Sequence, residues 1–165
     1  MPTAPTPIEC LTPAEARVAG KVALGLTSSE IADTLRLAKG TVDAQVRHAL
    51  HKLGVHNRAA LIHRCYVREQ LPRPERSRPL TGADAAEIDI LWLLAGGAGY
   101  AEIAQHSTHG LSHHSTRERI KALRVKWEAQ NDPHLITRAW VFGVLAESRP
   151  MGEALRLRGE PAVLR

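Results

Sequence analysis

Aromatic residues are scarce in this 165-residue chain, with three Trp, two Tyr and one Phe making up 4% of the sequence. A core with so few rings must be filled by aliphatic side chains, and 44% hydrophobic residues can supply one large or two small cores of packed helices. Cysteine is scarcer still. Cys10 and Cys65 lie far apart in a chain with no export signal, so reduced, partly buried thiols without assigned chemistry are expected. No apolar run approaches the length needed to cross a bilayer, and the start MPTAPTPIEC lacks the charged beginning and apolar centre of a signal peptide; a cytoplasmic protein with no membrane partner is expected. Catalytic groupings are missing as well. Without paired carboxylates, a phosphate loop or a nucleophile beside a base, the chain is not expected to be an enzyme or to use a cofactor.

What the chain does contain is itself, twice. Residues 57–71 read NRAALIHRCYVREQL and residues 131–145 read NDPHLITRAWVFGVL, so Asn, Leu, Ile, Arg, Val and Leu recur 74 positions later. Such periodicity is the mark of a repeated supersecondary unit. Upstream, Glu30-Ile31-Ala32 returns as Glu102-Ile103-Ala104, 72 positions on, and Leu37 returns as Leu111, 74 positions on, so the second unit carries two extra residues in that turn. Leu11-Thr12 matches Leu80-Thr81 at an offset of 69, implying about three more residues added before Glu102. The expected organisation is a first unit over 11–71, a linker over 72–79, a second unit over 80–145 and a tail over 146–165. Pro72, Pro74 and Pro79 alternate with Arg73, Arg76 and Arg78 in the linker, so the preceding helix can extend only to about Leu71. The Pro- and Gly-containing tail leaves room for one short helix near Glu153–Leu157.

Within the first unit, Thr12-Pro13-Ala14-Glu15 and Thr27-Ser28-Ser29-Glu30 are capping boxes, each opening a helix. Val18, Ala19, Val22 and Ala23 give the first helix its inward face, Gly25 stops it, and Ile31, Ala32 and Leu35 serve the short second helix. A third helix from Lys39 to Leu53 turns Val42, Val46, Ala49, Leu50 and Leu53 inward, leaving Lys39, Thr41, Asp43, Gln45, Arg47, His48 and His51 outside. Asn57 caps a fourth helix with Leu61, Ile62, Cys65 and Tyr66 inward. Helix, short helix, tight turn, longer helix with a polar face and closing helix is the plan of a helix-turn-helix domain.

The segments LTPAEARV, GLTSSEIAD, TVDAQV and HKLGVHNRAAL, in that order over about residues 11–66, closely resemble the LuxR/FixJ-type (GerE) helix-turn-helix domain of bacterial transcription regulators. The resemblance implies that the helix from Lys39 to Leu53 is a recognition helix and that the helix beginning at Asn57 often forms a dimer contact. Three positions depart from the family pattern. Ala38 stands where a Ser or Thr cap is usual, Asp43 where Lys or Arg is usual, and Gln45 where His is usual. Asp43 would be repelled by phosphate yet is able to accept a hydrogen bond from a cytosine amine, so a base reader and a weakened site are both open; Gln45 suits adenine and Arg47 suits guanine or phosphate.

The second unit is legible mainly through the repeat. Ile88, Leu91, Leu94 and Ala95 mark its first helix, Gly96, Gly97 and Gly99 the stop, and Ala101–Ala104 its second helix. Ser112 caps the third, in which Thr116, Ile120, Leu123 and Trp127 repeat the spacing of Val42, Val46, Ala49 and Leu53. Arg117, Arg119, Lys121, Arg124 and Lys126 make its outward face more basic than that of the first unit, with Arg117 in the place of Asp43, Arg119 of Gln45 and Lys121 of Arg47. His106, His109, His113 and His114 cluster around the longer turn; without cysteine or carboxylate ligands they fit phosphate or solvent better than a metal.

The fold expected is all-α: two tandem four-helix helix-turn-helix domains joined by a Pro/Arg-rich linker. The function expected is sequence-specific binding of double-stranded DNA by a nucleoid-associated transcription regulator with no receiver or ligand-sensing domain. DNA contact is expected from Lys39, Thr41, Asp43, Gln45, Arg47, His48, His114, Ser115, Arg117, Arg119, Lys121 and Arg124, and no metal site is expected. RNA polymerase, another regulator, or a second copy joined through the helices starting at Asn57 or Asn131 complete the expected partners. Two unequal units predict a non-palindromic or direct-repeat DNA site. The net charge of +5 agrees with a polyanionic partner. The alternative is a protein-interaction module in which one or both units have lost DNA reading.

Overall fold

The computed structural model describes residues 9–79 and 81–149; the short helix expected near Glu153–Leu157 lies outside them. Among the described residues the regular structure is entirely helical: α1 (Pro13–Ala23), α2 (Ser28–Leu35), α3 (Lys39–Leu53), α4 (Arg58–Val67), α5 (Ala85–Ala95), α6 (Tyr100–His106), α7 (His113–Lys126) and α8 (Asp132–Val141). Both expected capping boxes form. The Glu15 amide donates to the Thr12 hydroxyl at 3.2 Å while the Thr12 amide donates to the Glu15 carboxylate at 2.8 Å, and Thr27 and Glu30 do the same at 3.3 and 2.7 Å. Asn57 caps α4 through the Ala60 amide at 2.9 Å, and Ser112 caps α7 through the Ser115 amide at 3.0 Å.

Two boundaries depart from expectation. The fifth helix opens at Ala85 on Asp84, well after Leu80-Thr81, because Asp84 and Glu87 form a capping box with both bonds at 2.8 Å, whereas the Thr81 carbonyl accepts the Trp127 indole N–H at 3.1 Å. Asp84 therefore corresponds to Thr12 at an offset of 72, and no residues are inserted between that cap and Glu102. The closing helices end at Val67 and Val141, short of Leu71 and Leu145. In each, a left-handed residue (Glu69, φ 53°; Gly143, φ 71°) turns the chain so that the next two amides return to one carbonyl, that of Cys65 or Ala139. Leu71 and Leu145 are buried by this turn, the hydrophobic contact that accompanies such C-terminal motifs.

Left-handed backbone is where the two halves of the chain agree most closely. The eight positive-φ residues among those described fall into four pairs, Gly25 with Gly97, Arg36 with Gly110, Gly54 with Glu128 and Glu69 with Gly143, at the offsets 72, 74, 74 and 74. Side-chain contacts repeat as well. Lys52 reaches Glu15 at 2.8 Å and so ties α3 to α1; Lys126 reaches Glu87 at 2.8 Å and ties α7 to α5.

One hydrophobic core runs through all eight helices. Its centre is α4 against α8, the most extensive helix pair, where Leu61, Ile62, Cys65 and Tyr66 and Leu135, Ile136, Ala139 and Trp140 are each no more than 4% exposed. The contacts are reciprocal. The Asn57 side-chain amide donates to the Gly97 carbonyl at 2.8 Å, and that of Asn131 donates to the Gly25 carbonyl at 2.8 Å. Gly25 (φ 89°) and Gly97 (φ 95°) are needed twice over, for the left-handed turn and because a Cβ would stand 3.0 Å from Gln130 and His134 or 3.3 Å from Ala60.

A second matched pair of polar contacts has unlike chemistry. The Thr137 hydroxyl gives its proton to the Ala23 carbonyl at 2.8 Å, so the Tyr66 hydroxyl, 3.2 Å away, donates to Thr137. At the corresponding positions the Trp140 indole donates to His63 Nδ1 at 3.0 Å, which places the imidazole proton on Nε2. Burial, with the nearby Arg64 charge, pushes the His63 pKa down to about 4, so this ring is neutral near pH 7. The segment 72–79 carries no helix and lies along the ends of α4 and α8. The Ser77 amide donates to the Val141 carbonyl at 2.8 Å, and Arg73 donates to the Tyr66 carbonyl at 3.1 Å, sits over the Trp140 ring and pairs with Glu69 and Glu147.

Candidate nucleic-acid interface

A helix that is to enter a groove must be held from behind and bare in front. For α3 the hold comes from Val42, Val46, Ala49 and Leu53, all buried, and from the Lys52–Glu15 pair. The approach from α2 is set by Arg36 in left-handed conformation, followed by Leu37 and Ala38. Ala38 offers no side-chain cap, so the first amides of α3 lack the partner that Ser112 supplies on α7. In front, Lys39, Thr41, Arg47 and His48 are exposed and Gln45 is half-buried.

Asp43 is placed otherwise than a free base reader would be. The Ser28 hydroxyl donates to its carboxylate at 2.6 Å, Arg58 of α4 donates to the same hydroxyl at 2.6 Å and lies 3.5 Å from the carboxylate, and Lys39 approaches at 3.7 Å. The Ser28 bond, joined by the charges of Lys39 and Arg58, keeps the Asp43 carboxyl below the usual carboxylate range. Asp43 thus fastens α3 to the starts of α2 and α4. Arg58 was not singled out from the sequence, although its place next to the Asn57 cap marks it as the first side chain able to reach back from α4.

Helix α7 is held in the same manner by Thr116, Ile120, Leu123 and Trp127, all buried, and by Lys126–Glu87. Its five basic residues do not form one outward face. Arg124 turns toward α8 and α6, donating to Asp132 and, at 3.0 Å, to the Tyr100 hydroxyl, whose own proton goes to Asp132 at 2.8 Å. Burial and the adjacent Asp132 push the Tyr100 pKa up to about 12, so that hydroxyl keeps its proton. Arg119 reaches Asp84 at 3.2 Å. Arg124 is therefore tied into the junction of α6, α7 and α8, and Arg119 is partly engaged. Arg117 and Lys121 are exposed and form no ion pair among the described residues; His114 is exposed, and Ser115 bonds to the Ser112 hydroxyl at 2.8 Å. The unpaired cations of α7 among the described residues are thus these two, matched in number by the exposed Lys39 and Arg47 of α3.

Glu118, Ala122 and Val125 also lie on the exposed side of α7, Val125 at 76% exposure. None was chosen from the sequence, and their only signal was the gap they fill opposite the buried positions. The four clustered histidines do not assemble a site: among the described residues no group of three His, Cys, Asp or Glu side chains stands ready to hold a metal ion. No helix among them is long and apolar enough to cross a membrane.

The family of bacterial regulatory proteins designated luxR matches residues 9–65, a span that covers α1 to α3 and nearly all of α4. No curated protein and no solved structure matches the chain. With the capped helices, the glycine-stopped turns and the outward face of α3 in place, residues 9–65 have the helix-turn-helix form of the LuxR family of bacterial regulatory proteins that they match.

Proposed function

We propose that this regulator reads duplex DNA with two unequal helix-turn-helix units, 11–71 and 80–145, held as a covalent pseudo-dimer by α4 on α8, with 72–79 as the linker and 146–165 as the tail. The observation that supports this most is the reciprocity of Asn57 on Gly97 and Asn131 on Gly25, together with the paired left-handed residues. Reciprocal contacts are what a two-fold exchange of units produces. In the family the closing helix often supplies a dimer contact between chains; here its apolar face is covered by α8 of the same chain, so the chain acts as a monomer with two reading helices. DNA contact falls to Lys39, Thr41, Gln45, Arg47 and His48 on α3 and to His114, Arg117 and Lys121 on α7.

A two-fold relation also revises the expected site. Direct repeats require units related by translation, whereas a pseudo-dyad carries α3 onto α7 in opposite sense and calls for inverted half-sites of different sequence, about one helical turn apart. In vitro selection from random duplexes with the intact chain is the test. It should return two inverted, non-identical half-sites, and binding should weaken steeply with salt. Arg47→Ala and Arg117→Ala should each relax a different half-site. A single half-site, or a direct repeat, overturns the pseudo-dimer, and salt-independent or undetectable binding favours the protein-interaction alternative.

A further inference from the structure

One buried carboxylate in the last four helices has no counterpart in the first four. Asp89 on α5 is 3% exposed, and at the matching place on α1 stands Arg17, which is exposed. Its two oxygens are divided between two segments. Oδ1 receives both terminal nitrogens of Arg149 at 3.2 Å, and Oδ2 receives the amide and the hydroxyl of Thr108 at 3.2 and 3.4 Å. Thr108 and His109 are the two residues that raise the offset between the halves from 72 at the Gly25–Gly97 pair to 74 at the Arg36–Gly110 pair. Arg149 comes from beyond α8, so the segment leaving α8 crosses back to α5. The additional turn residues are thus pinned from below by a carboxylate that the departing chain neutralises.

We propose that Asp89 and Arg149 are positioning residues for DNA contact by α7. Acting through Thr108, they fix the turn from which Ser112, His114 and Arg117 project, so the segment after α8 sets how strongly the second half-site is held. This rests on the pseudo-dimer reading above. A loose turn of six residues leaves the first helical turn of α7 free to fray; a turn anchored at Thr108, four residues ahead of the Ser112 cap, does not. Burial of Asp89 makes the anchor strong, because a carboxylate enclosed without its guanidinium is unfavourable and must draw in water or rearrange.

The test uses the full chain and the duplex selected by it, together with the same duplex scrambled in the second half-site. Arg149→Ala and Thr108→Val should each weaken binding to the intact duplex by about tenfold, as loss of a charge-assisted hydrogen bond does. Neither should change binding to the scrambled duplex, and hydroxyl-radical protection should fade over the second half-site alone. Arg149→Lys should restore part of the loss. The slope of log affinity against log salt should stay at the wild-type value, since a positioning residue neutralises no phosphate; a slope reduced by about one assigns Arg149 a direct phosphate contact and overturns the proposal. Equal loss on both duplexes, or no loss on the intact one, overturns it as well. Far-UV melting of each variant separates loss of fold from loss of positioning, and Thr108→Val retains the Asp89–Arg149 pair should Arg149→Ala unfold. If the wild-type protein binds both duplexes alike, the pseudo-dimer reading itself fails, an outcome distinct from failure of the anchor.

Discussion

Replacing Asn57 separates two contributions that one side chain makes. Its Oδ1 caps α4 at the Ala60 amide, and its amide group crosses to the Gly97 carbonyl in the other half of the chain. Asn57→Ser keeps a good cap but cannot reach Gly97, so it removes one part-buried hydrogen bond, about 1 kcal/mol. Asn57→Ala removes both, about 2 kcal/mol. For a chain of this length each kcal/mol lowers Tm by roughly 2–4 °C, giving a fall of roughly 2–4 °C for Ser and roughly 4–8 °C for Ala. Asn131 makes the same pair of bonds, to the His134 amide at 3.2 Å and to Gly25, so Asn131→Ser and Asn131→Ala should follow the same ladder. Far-UV circular dichroism and scanning calorimetry should show one cooperative transition throughout, because the core is continuous across α4 and α8. The reasoning is refuted if the Ser variants melt with the wild type, or if any of the four variants shows two transitions, which would mean that the halves melt independently rather than as one core.

Two further predictions concern charge. The folded-state pKa of His63 is depressed to about 4 and that of His134 is depressed as well, each by burial first, so the unfolded chain binds protons below about pH 6.5 that the folded chain refuses. Stability should be full above that pH and decline as pH falls toward 4, by roughly 2 kcal/mol for His63 after allowing for its partial exposure. In His63→Gln, whose carbonyl can still accept the Trp140 indole, Tm plotted against pH should be flatter between 4 and 6.5; an unchanged slope would remove His63 from the account. Arg124→Ala should lower Tm, because Asp132 loses its partner at the α7–α8 junction, yet leave the salt slope of DNA binding intact. Lys121→Ala should do the opposite, and a filter-binding salt titration of both variants decides it.

The secondary structure was largely legible because caps and stops are local. Thr12, Thr27, Asn57, Ser112 and Gly54 act on amides and carbonyls within four residues, and all behave as the sequence suggests. Where a boundary was misplaced, the deciding partner was distant or the stopping residue was unusual. The Thr81 carbonyl belongs to Trp127, 46 residues away, and α4 ends at a left-handed Glu69, a conformation that a glutamate does not advertise. The candidate interface was legible as a set of helix faces but not as a set of free side chains. Arg124 and Asp43 read as outward residues at the correct spacing; only the placement of Asp132, Tyr100, Ser28 and Arg58 shows that both are drawn into the scaffold. Asp89 was invisible for the same reason, since its partners lie 19 and 60 residues away.

If the proposed pseudo-dimer holds, closing the pair inside one polypeptide changes how binding answers to the protein's own abundance. A protein that must find a second copy before it binds occupies a dilute site in proportion to the square of its concentration, and it falls apart as it is diluted. With α4 already resting on α8, the proposed pseudo-dimer would replace association by folding, and its occupancy should rise with the first power of concentration. The response loses the threshold that assembly imposes. On the same proposal it gains freedom from exchange, since two reading helices of different preference would be delivered together in a one-to-one ratio.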